Sequence, residues 1–144
     1  MEQQNYANHR QFVPLYHFVL TFLVLVAIGG SLYNFYRAWG RGSGRIEAAM
    51  IILLVVILFI EGFLLRIFAL KAQDRAIRAE ENLRHFVLHG SLLDPRLSIR
   101  QIIGLRFAAD EEFAELAEKA AAEGISENDI KKAVKNWRGD YYRV

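Results

Sequence analysis

The sequence contains no cysteine and only two prolines, and acidic residues are scarce in its first half. Without cysteine there can be no disulfide, thiolate metal ligand or cysteine nucleophile. Only Glu2, Glu47 and Glu61 are acidic before residue 72, whereas the residues after Leu70 carry 13 basic and 13 acidic side chains. Nucleic-acid binding needs a surface of one charge sign, so this balanced tail predicts no nucleic-acid partner.

The most apolar stretch of the chain lies between Arg45 and Arg66. Residues 48–60 form a run of 13 residues without one polar side chain. As a helix, the stretch from Arg45 to Arg66 would be about 31 Å long, close to the thickness of the hydrocarbon core of a bilayer. We therefore predict a transmembrane helix over residues 46–70.

The helix is predicted to continue beyond the membrane as a stem over residues 71–89. This segment has no proline or glycine and is rich in good helix formers. Opposite charges recur four residues apart, as in the pair Glu80 and Arg84. The spacing of its apolar residues permits a short coiled coil, but a helix surrounded by water explains the pattern equally well.

A first transmembrane helix is predicted over residues 14–36, after a polar segment at 1–13. No charged residue occurs between Arg10 and Arg37, and aromatic residues cluster at both ends, as expected of interfacial belts. The run Gly29-Gly30-Ser31 could mimic a signal cleavage site, but the basic start of a signal peptide is missing, so a retained span is favoured. The two glycines either admit a neighbouring helix closely or mark a tolerated flexible point.

Residues 37–45 contain three glycines and a serine and predict a short loop, which makes the two spans an antiparallel hairpin. Both termini then lie on one side of the membrane. The terminal side is the more basic, and a charged tail is difficult to translocate, so we predict cytoplasmic termini in a bacterial inner membrane. Three loop arginines argue for the opposite orientation: Arg37, Arg41 and Arg45.

Residues 90–144 predict a small helical domain, because Gly90 and Pro95 interrupt the stem. A first short helix is expected near residues 98–107. A second begins with Asp110 as N-cap and ends at Gly124. A third begins after Ser126 and extends over the basic segment 131–138 with Trp137 on one face. Such a basic segment is either a solvated helix face or a contact for an acidic membrane surface.

A polar cluster is predicted inside the membrane. Folding the hairpin about residue 41 brings Glu61 level with Thr21, and Arg66 level with Tyr16 and His17. An isolated carboxylate at this depth would become neutral or find a partner. These five residues are therefore either a structural clamp, which we favour, or a proton or ion site.

The sequence offers little for catalysis. His85 and His89 have the spacing of metal ligands on a helix, but no third ligand accompanies them, and cationic capping of the helix end is the better explanation. Phosphate-binding glycine loops and nucleophile elbows are missing from the sequence. We therefore predict no catalytic residue, no metal and no cofactor.

Three stretches together resemble a bacterial family of two-span membrane proteins of unknown function. They are NYANHRQFVPLYHF at 5–18, LRIFALKAQDRAIRAEENLR at 65–84, and LRFAADEEF at 105–113 with DIKKAVKNWRGDYYRV at 129–144. The resemblance covers nearly the whole chain. It implies the two-span architecture and brings no assigned activity, cofactor or site.

The sequence thus predicts an all-α protein: a two-helix transmembrane hairpin, a helical stem and a small helical cytoplasmic domain. The expected function is that of a non-enzymatic membrane scaffold or interaction protein. Its expected partners are the lipid bilayer and either further copies of itself or another membrane protein. The alternative is an accessory subunit of a channel or transporter, in which an oligomer places Glu61 near a polar path.

Overall fold

The computed structural model describes residues 3–141, which form an all-α fold. A π-helical segment, Leu15–Leu20, is followed by α1 (Thr21–Arg41), α2 (Arg45–His89), α3 (Ile99–Leu105), α4 (Asp110–Glu123) and α5 (Glu127–Ala133). The chain divides into two compact units. The hairpin unit is Phe12–Ala69, and the tail unit combines residues 3–11 with residues 70–141. The predicted fold class, an apolar hairpin followed by a small helical part, is confirmed.

A loop of three residues, 42–44, joins α1 to α2. Gly42 and Gly44 have φ angles of 75° and 74°, in the left-handed region that favours glycine. The sequence predicted a longer loop, over 37–45, but α1 continues to Arg41. Only the glycines with positive φ interrupt the helical backbone, so the preceding Arg-Ala-Trp-Gly-Arg segment stays helical.

The two helices of the hairpin unit bury only a narrow stripe of side chains. Its most buried members are small: Ser31, Ala38 and Ala48 are 6%, 1% and 1% exposed. Less buried residues continue the stripe at spacings of three or four residues: Val24, Ile28 and Phe35 on α1, and Ile52 and Val55 on α2, with Gly62 seven residues further on. This spacing is that of coiled-coil contacts, and small side chains let helix backbones approach closely.

Large apolar side chains cover the rest of the hairpin unit. Leu25, Leu58 and Leu65 are 62%, 64% and 68% exposed, and many similar residues surround them. Two helical stretches are long and apolar enough to span a membrane, Leu15–Arg41 and Arg45–His89, and an 18-residue segment within each has a mean hydropathy of 2.0 and 2.9, respectively. An exposed apolar surface of this size marks a site of interaction with another protein or with a membrane.

The tail unit has a closed apolar core. Its largest fully buried side chains are Phe107, Phe113, Leu105 and Ile130. Ile77, which belongs to the part of α2 beyond residue 70, is also buried in this core. The stem, predicted as a separate segment, is therefore part of the folded tail unit.

Side-chain caps fix two of the three short helices. Ser98 and Gln101 form a reciprocal capping box at the start of α3, and Ser126 accepts a hydrogen bond from the backbone N–H of Asp129 at the start of α5. The predicted cap of α4 is displaced by one residue, since Asp110 is its first helical residue and Ala109 holds the N-cap position. The predicted end at Gly124 is confirmed by its φ of 65°.

The last helix is shorter than predicted and stops at Ala133. The Glu112 carboxylate of α4 accepts hydrogen bonds from the backbone N–H groups of Lys135 and Asn136, at 3.1 and 2.9 Å. These bonds hold the chain in an extended form, which pairs Trp137 with Ala108 as an isolated bridge. The prediction of one basic helical face over 131–138 was therefore wrong.

A fixed charge pair stabilises the turn after the stem. The backbone N–H of Arg96 donates to the Asp94 carboxylate at 2.8 Å, and the Arg96 guanidinium lies 2.6 Å from it. The hydrogen bonds from Arg96 lower the pKa of Asp94 from 3.8 to about 2. Because this folded-state pKa is depressed, the pair contributes stability above pH 3.8 and loses it as the pH falls through about 2.

Helices α3 and α5 approach each other most closely at Gly104. A Cβ atom added there would lie 3.1 Å from the backbone oxygen of Glu127 and 3.2 Å from the Cβ of Ile130. Ile130 is fully buried and has no room to move away. The glycine is thus required by packing and not by its backbone angles.

We predict that Gly104→Ala destabilises the tail unit. Alanine gains about 1 kcal/mol in helix propensity, but overpacking at such a contact costs about 1–3 kcal/mol, so we expect a net loss of about 1 kcal/mol. Unfolding of the full-length protein in detergent can be followed by Trp137 fluorescence in a Trp39→Phe background. Ala122→Ser, which also adds one heavy atom but at an exposed helical site, should cost no more than about 0.5 kcal/mol, from helix propensity alone. An unchanged midpoint for Gly104→Ala would contradict the packing argument.

Candidate functional site

Two residues of the predicted intramembrane cluster lie together in the hairpin unit. Tyr16 belongs to the π-helical segment, and its hydroxyl donates a hydrogen bond of 3.4 Å to the backbone oxygen of Gly62 on α2. The guanidinium carbon of Arg66 lies 5.5 Å from the centre of the Tyr16 ring, within the range of a cation–π contact. Tyr16 therefore fastens the start of the first span to α2, with Arg66 one helical turn beyond Gly62.

His17 stays within its own segment. Its Nδ1 atom lies 3.0 Å from both the amide nitrogen and the carbonyl oxygen of Val13, so either tautomer finds a partner. Its ring also meets the rings of Phe12 and Tyr16 edge-on, with centroids 5.4 and 5.3 Å apart. His17 thus stabilises the start of the π-helical segment, through contacts with Phe12, Val13 and Tyr16.

Glu61 and Thr21 both lie on the exposed surface of the hairpin unit. Within residues 3–141, neither side chain makes a hydrogen bond or an ion pair. The structure therefore joins Tyr16 to Arg66 but leaves Glu61 facing outwards among apolar side chains. A carboxylate in such surroundings either takes up a proton or finds a partner beyond its own chain.

The two adjacent glycines of the first span are open. A Cβ atom added at Gly29 or Gly30 would have no atom within 4 Å. Both glycines are exposed, and they lie outside the buried stripe that contains Ser31, Ala38 and Ala48.

Arg84 of the stem is the centre of a polar network in the tail unit. Its guanidinium donates to the Asp110 carboxylate at 2.7 Å, to Glu81 at 3.0 Å and to the backbone oxygen of Ala108 at 2.8 Å. It also lies 4.3 Å from the centre of the Phe113 ring. These contacts turn Arg84 away from Glu80, so the predicted pair four residues apart is not formed.

Glu81 shares this network and is 4% exposed. Its second oxygen lies 3.3 Å from the guanidinium of Arg138, near the C-terminal end of the described chain. A buried carboxylate needs such partners to remain charged. Glu81 therefore ties the stem to both α4 and the C-terminal segment, through Arg84 and Arg138.

The N-terminal segment is bound to the tail unit, which the sequence did not predict. The side-chain amide of Gln4 both donates to the backbone oxygen of Asp140, at 3.1 Å, and accepts from its N–H, at 2.8 Å. The ring of His9 lies 5.7 Å from the rings of both Phe107 and Trp137, and it stacks on Tyr6. His9 thus packs the N-terminal segment against aromatic side chains of the tail unit.

His85 and His89 lie side by side, with ring centroids 4.9 Å apart. The Nδ1 atom of His85 is hydrogen-bonded to the backbone oxygen of Ser91 at 2.6 Å, which helps end α2. Among residues 3–141, no group of three or more histidine, cysteine or acidic side chains is arranged to hold a metal.

A groove of about 530 Å³ runs between the stem and the C-terminal segment of the tail unit. Its walls include two ion pairs, Glu81 with Arg138 and Arg106 with Asp140, the latter at 3.0 Å. Since these charges neutralise each other, we assign them to the stability of the tail unit.

A family model described as a family of unknown function, DUF6526, matches residues 1–144. The chain belongs to this family. No curated protein and no solved structure matches the chain. The DUF6526 match includes both the apolar hairpin and the tail, so the two units are parts of one family architecture.

We predict that Arg84→Ala destabilises the tail unit by about 3 kcal/mol, because removing one partner of a buried ion pair leaves the other charge poorly satisfied. The measurement is the same unfolding of the full-length protein followed at Trp137. Arg75→Ala removes a similar side chain from an exposed site on the same helix and should change stability by less than about 0.5 kcal/mol. Equal effects of the two variants on the free energy of unfolding would show that the network around Glu81 does not stabilise the tail unit.

Proposed function

We propose that this protein is a non-enzymatic scaffold of the bacterial inner membrane, anchored by the hairpin and associating with further copies of itself. The observation that carries the proposal is the contrast between the two units. The hairpin unit exposes large apolar side chains around a narrow buried stripe, whereas the tail unit encloses an apolar core beneath charged residues. One unit is suited to lipid and the other to water.

The contacts of the N-terminal segment support a hairpin that crosses the membrane twice. Gln4 precedes the first apolar helix and Asp140 follows the second, yet their backbone and side-chain groups are hydrogen-bonded to each other. Both ends of the hairpin must then lie on the same side. The basic residues near these ends, among them Arg10, Lys71 and Arg75, favour the cytoplasmic side.

Self-association would explain the position of Glu61. Its carboxylate lies on the outer surface of an apolar hairpin, where lipid offers no hydrogen-bond donor. A neighbouring hairpin would exclude lipid from this carboxylate and supply polar groups, such as the exposed hydroxyl of Thr21. Small groups at Gly29 and Gly30 leave room for a close approach.

We predict opposite labelling of the loop and the two ends in a cysteine-accessibility experiment. Because the chain has no cysteine, single substitutions report cleanly. Ser43→Cys in the loop should react with an impermeant maleimide added to intact cells. Ala7→Cys and Asn128→Cys, both exposed, should react only after the membrane is opened.

Each outcome of the labelling experiment is decisive for one part of the proposal. Equal labelling of residues 43 and 128 from outside would refute the membrane hairpin. Different labelling of residues 7 and 128 would show that the two ends lie on opposite sides. Reaction of residues 7 and 128 but not 43 would reverse the orientation while keeping the hairpin.

A second candidate function is that of an accessory subunit of a channel or transporter. The outward-facing Glu61 also favours this function, because copies arranged in a ring could bring several carboxylates around a polar path. Intramembrane acids often mark such paths. The two functions differ in whether the Glu61 carboxylate is sealed between helices or open to water.

We predict that Glu61→Gln reduces the oligomer mass of the protein in detergent and leaves liposome ion flux at the level of empty vesicles. Glutamine has the same shape as glutamate but no charge. A contact between neighbouring copies at residue 61 would therefore lose one hydrogen-bond acceptor oxygen. Glu47→Gln, at the exposed start of α2, should leave the mass unchanged.

The transport function predicts a different result for the same pair of variants. If copies of this protein alone form the polar path, the wild type would conduct ions, Glu61→Gln would abolish the flux, and Glu47→Gln would conserve it. An unchanged mass for Glu61→Gln would refute self-association through this residue, and no flux from the wild type would refute a conducting ring formed by this protein alone.

A further inference from the structure

Three arginines lie close together at the loop end of the hairpin unit. Arg37 and Arg41 lie one turn apart near the end of α1, and Arg45 begins α2. All three are exposed, and within residues 3–141 none of them forms an ion pair. The only acid in this part of the sequence is Glu47. This end of the hairpin therefore carries a net positive charge that the described chain does not neutralise.

Trp39 holds one of the three guanidinium groups in place. Arg45 donates a hydrogen bond of 3.3 Å to the backbone oxygen of Trp39, and its guanidinium carbon lies 4.6 Å from the centre of the Trp39 ring. The tryptophan itself is 60% exposed. Arg45 is thus positioned beside an aromatic ring, whereas the side chains of Arg37 and Arg41 remain available to an external anion.

An apolar groove opens beside these arginines. It has a volume of about 350 Å³ and is lined by Leu32, Phe35, Tyr36, Arg37, Trp39 and Gly40. Gly40 leaves the groove open, since a Cβ atom there would have no atom within 4 Å. The groove lies on α1 itself, so its apolar wall continues along the span while its rim carries a positive charge.

We propose that this loop-end surface, formed by Tyr36, Arg37, Trp39, Arg41 and Arg45, binds the phosphate headgroup of an anionic phospholipid. A guanidinium group matches phosphate with two parallel hydrogen bonds, and tyrosine and tryptophan favour the headgroup level of a bilayer. The continuous apolar wall points to a lipid and not to a free phosphate ion. This inference rests on the membrane anchoring proposed above.

Lipid binding also accounts for the arginines in the loop. The positive-inside rule disfavours three arginines on the side opposite to the basic termini. Anionic headgroups would supply the counter-charges that the chain lacks at this end. The arginines then act as a contact with lipid and do not decide the orientation of the hairpin.

The test uses the full-length protein in neutral detergent, with lipid retention measured by native mass spectrometry. Wild-type protein should retain phosphatidylglycerol in preference to phosphatidylcholine of the same chain length. R37Q/R41Q should bind phosphatidylglycerol about 25-fold more weakly, since each arginine near an anionic surface contributes roughly fivefold. The charge-matched control K119Q/K135Q alters exposed lysines of the tail and should bind like the wild type.

Further arms of the experiment separate the alternatives. R37K/R41K keeps the charges but loses the two-pronged geometry, so it should bind with intermediate strength if it folds with wild-type helicity. Equal retention of the two lipids by the wild type, or unchanged binding by R37Q/R41Q, would overturn the lipid site. Complete competition by inorganic phosphate at equal concentration would show a free anion site instead. These results leave the cysteine labelling unaffected, so failure here is distinguishable from failure of the membrane anchor.

Discussion

The structure depends on α2, an unbroken helix of 45 residues that belongs to both compact units. Its first half contributes only a few side chains to the buried stripe of the hairpin, and most of its apolar surface faces outwards. Its second half buries Ile77 and Glu81 in the tail unit. No glycine with positive φ interrupts α2 before Gly90, so one continuous helix contributes to the hairpin unit and then to the tail unit.

The two units are stabilised by different physical means. In the hairpin, the most buried side chains are the small ones of Ser31, Ala38 and Ala48, and the large apolar side chains remain exposed; in the proposed membrane setting, lipid would surround them and burial would bring no hydrophobic gain. In the tail, an apolar core is supplemented by the ion pairs and hydrogen bonds of Arg84 and Glu81. The proposed anchoring, self-association and lipid binding all involve side chains on the exposed surface of the hairpin unit.

Much of the candidate site could be inferred from position along the helices alone. The pairing of Tyr16 with the level of Arg66 follows from a constant rise per residue in an antiparallel hairpin. The face of α2 on which each side chain lies could not be inferred. Successive residues are about 100° apart around a helix, and a rotation of that size moves a side chain from the inner to the outer face. Glu61 consequently lies outside the predicted cluster, whereas the backbone oxygen of its neighbour Gly62 accepts a hydrogen bond from the Tyr16 hydroxyl.

Length, hydropathy and local capping residues determined the elements: two long apolar helices, the glycine turn between them, and the starts of α3 and α5. These depend on interactions within a few residues, which a sequence displays directly. Only the tertiary structure decided that residues 3–11 join the tail, that Arg84 binds Asp110, and that Glu112 ends α5 early. Each of these depends on groups more than 20 residues apart, and local patterns carry no information about which distant partner a side chain will meet.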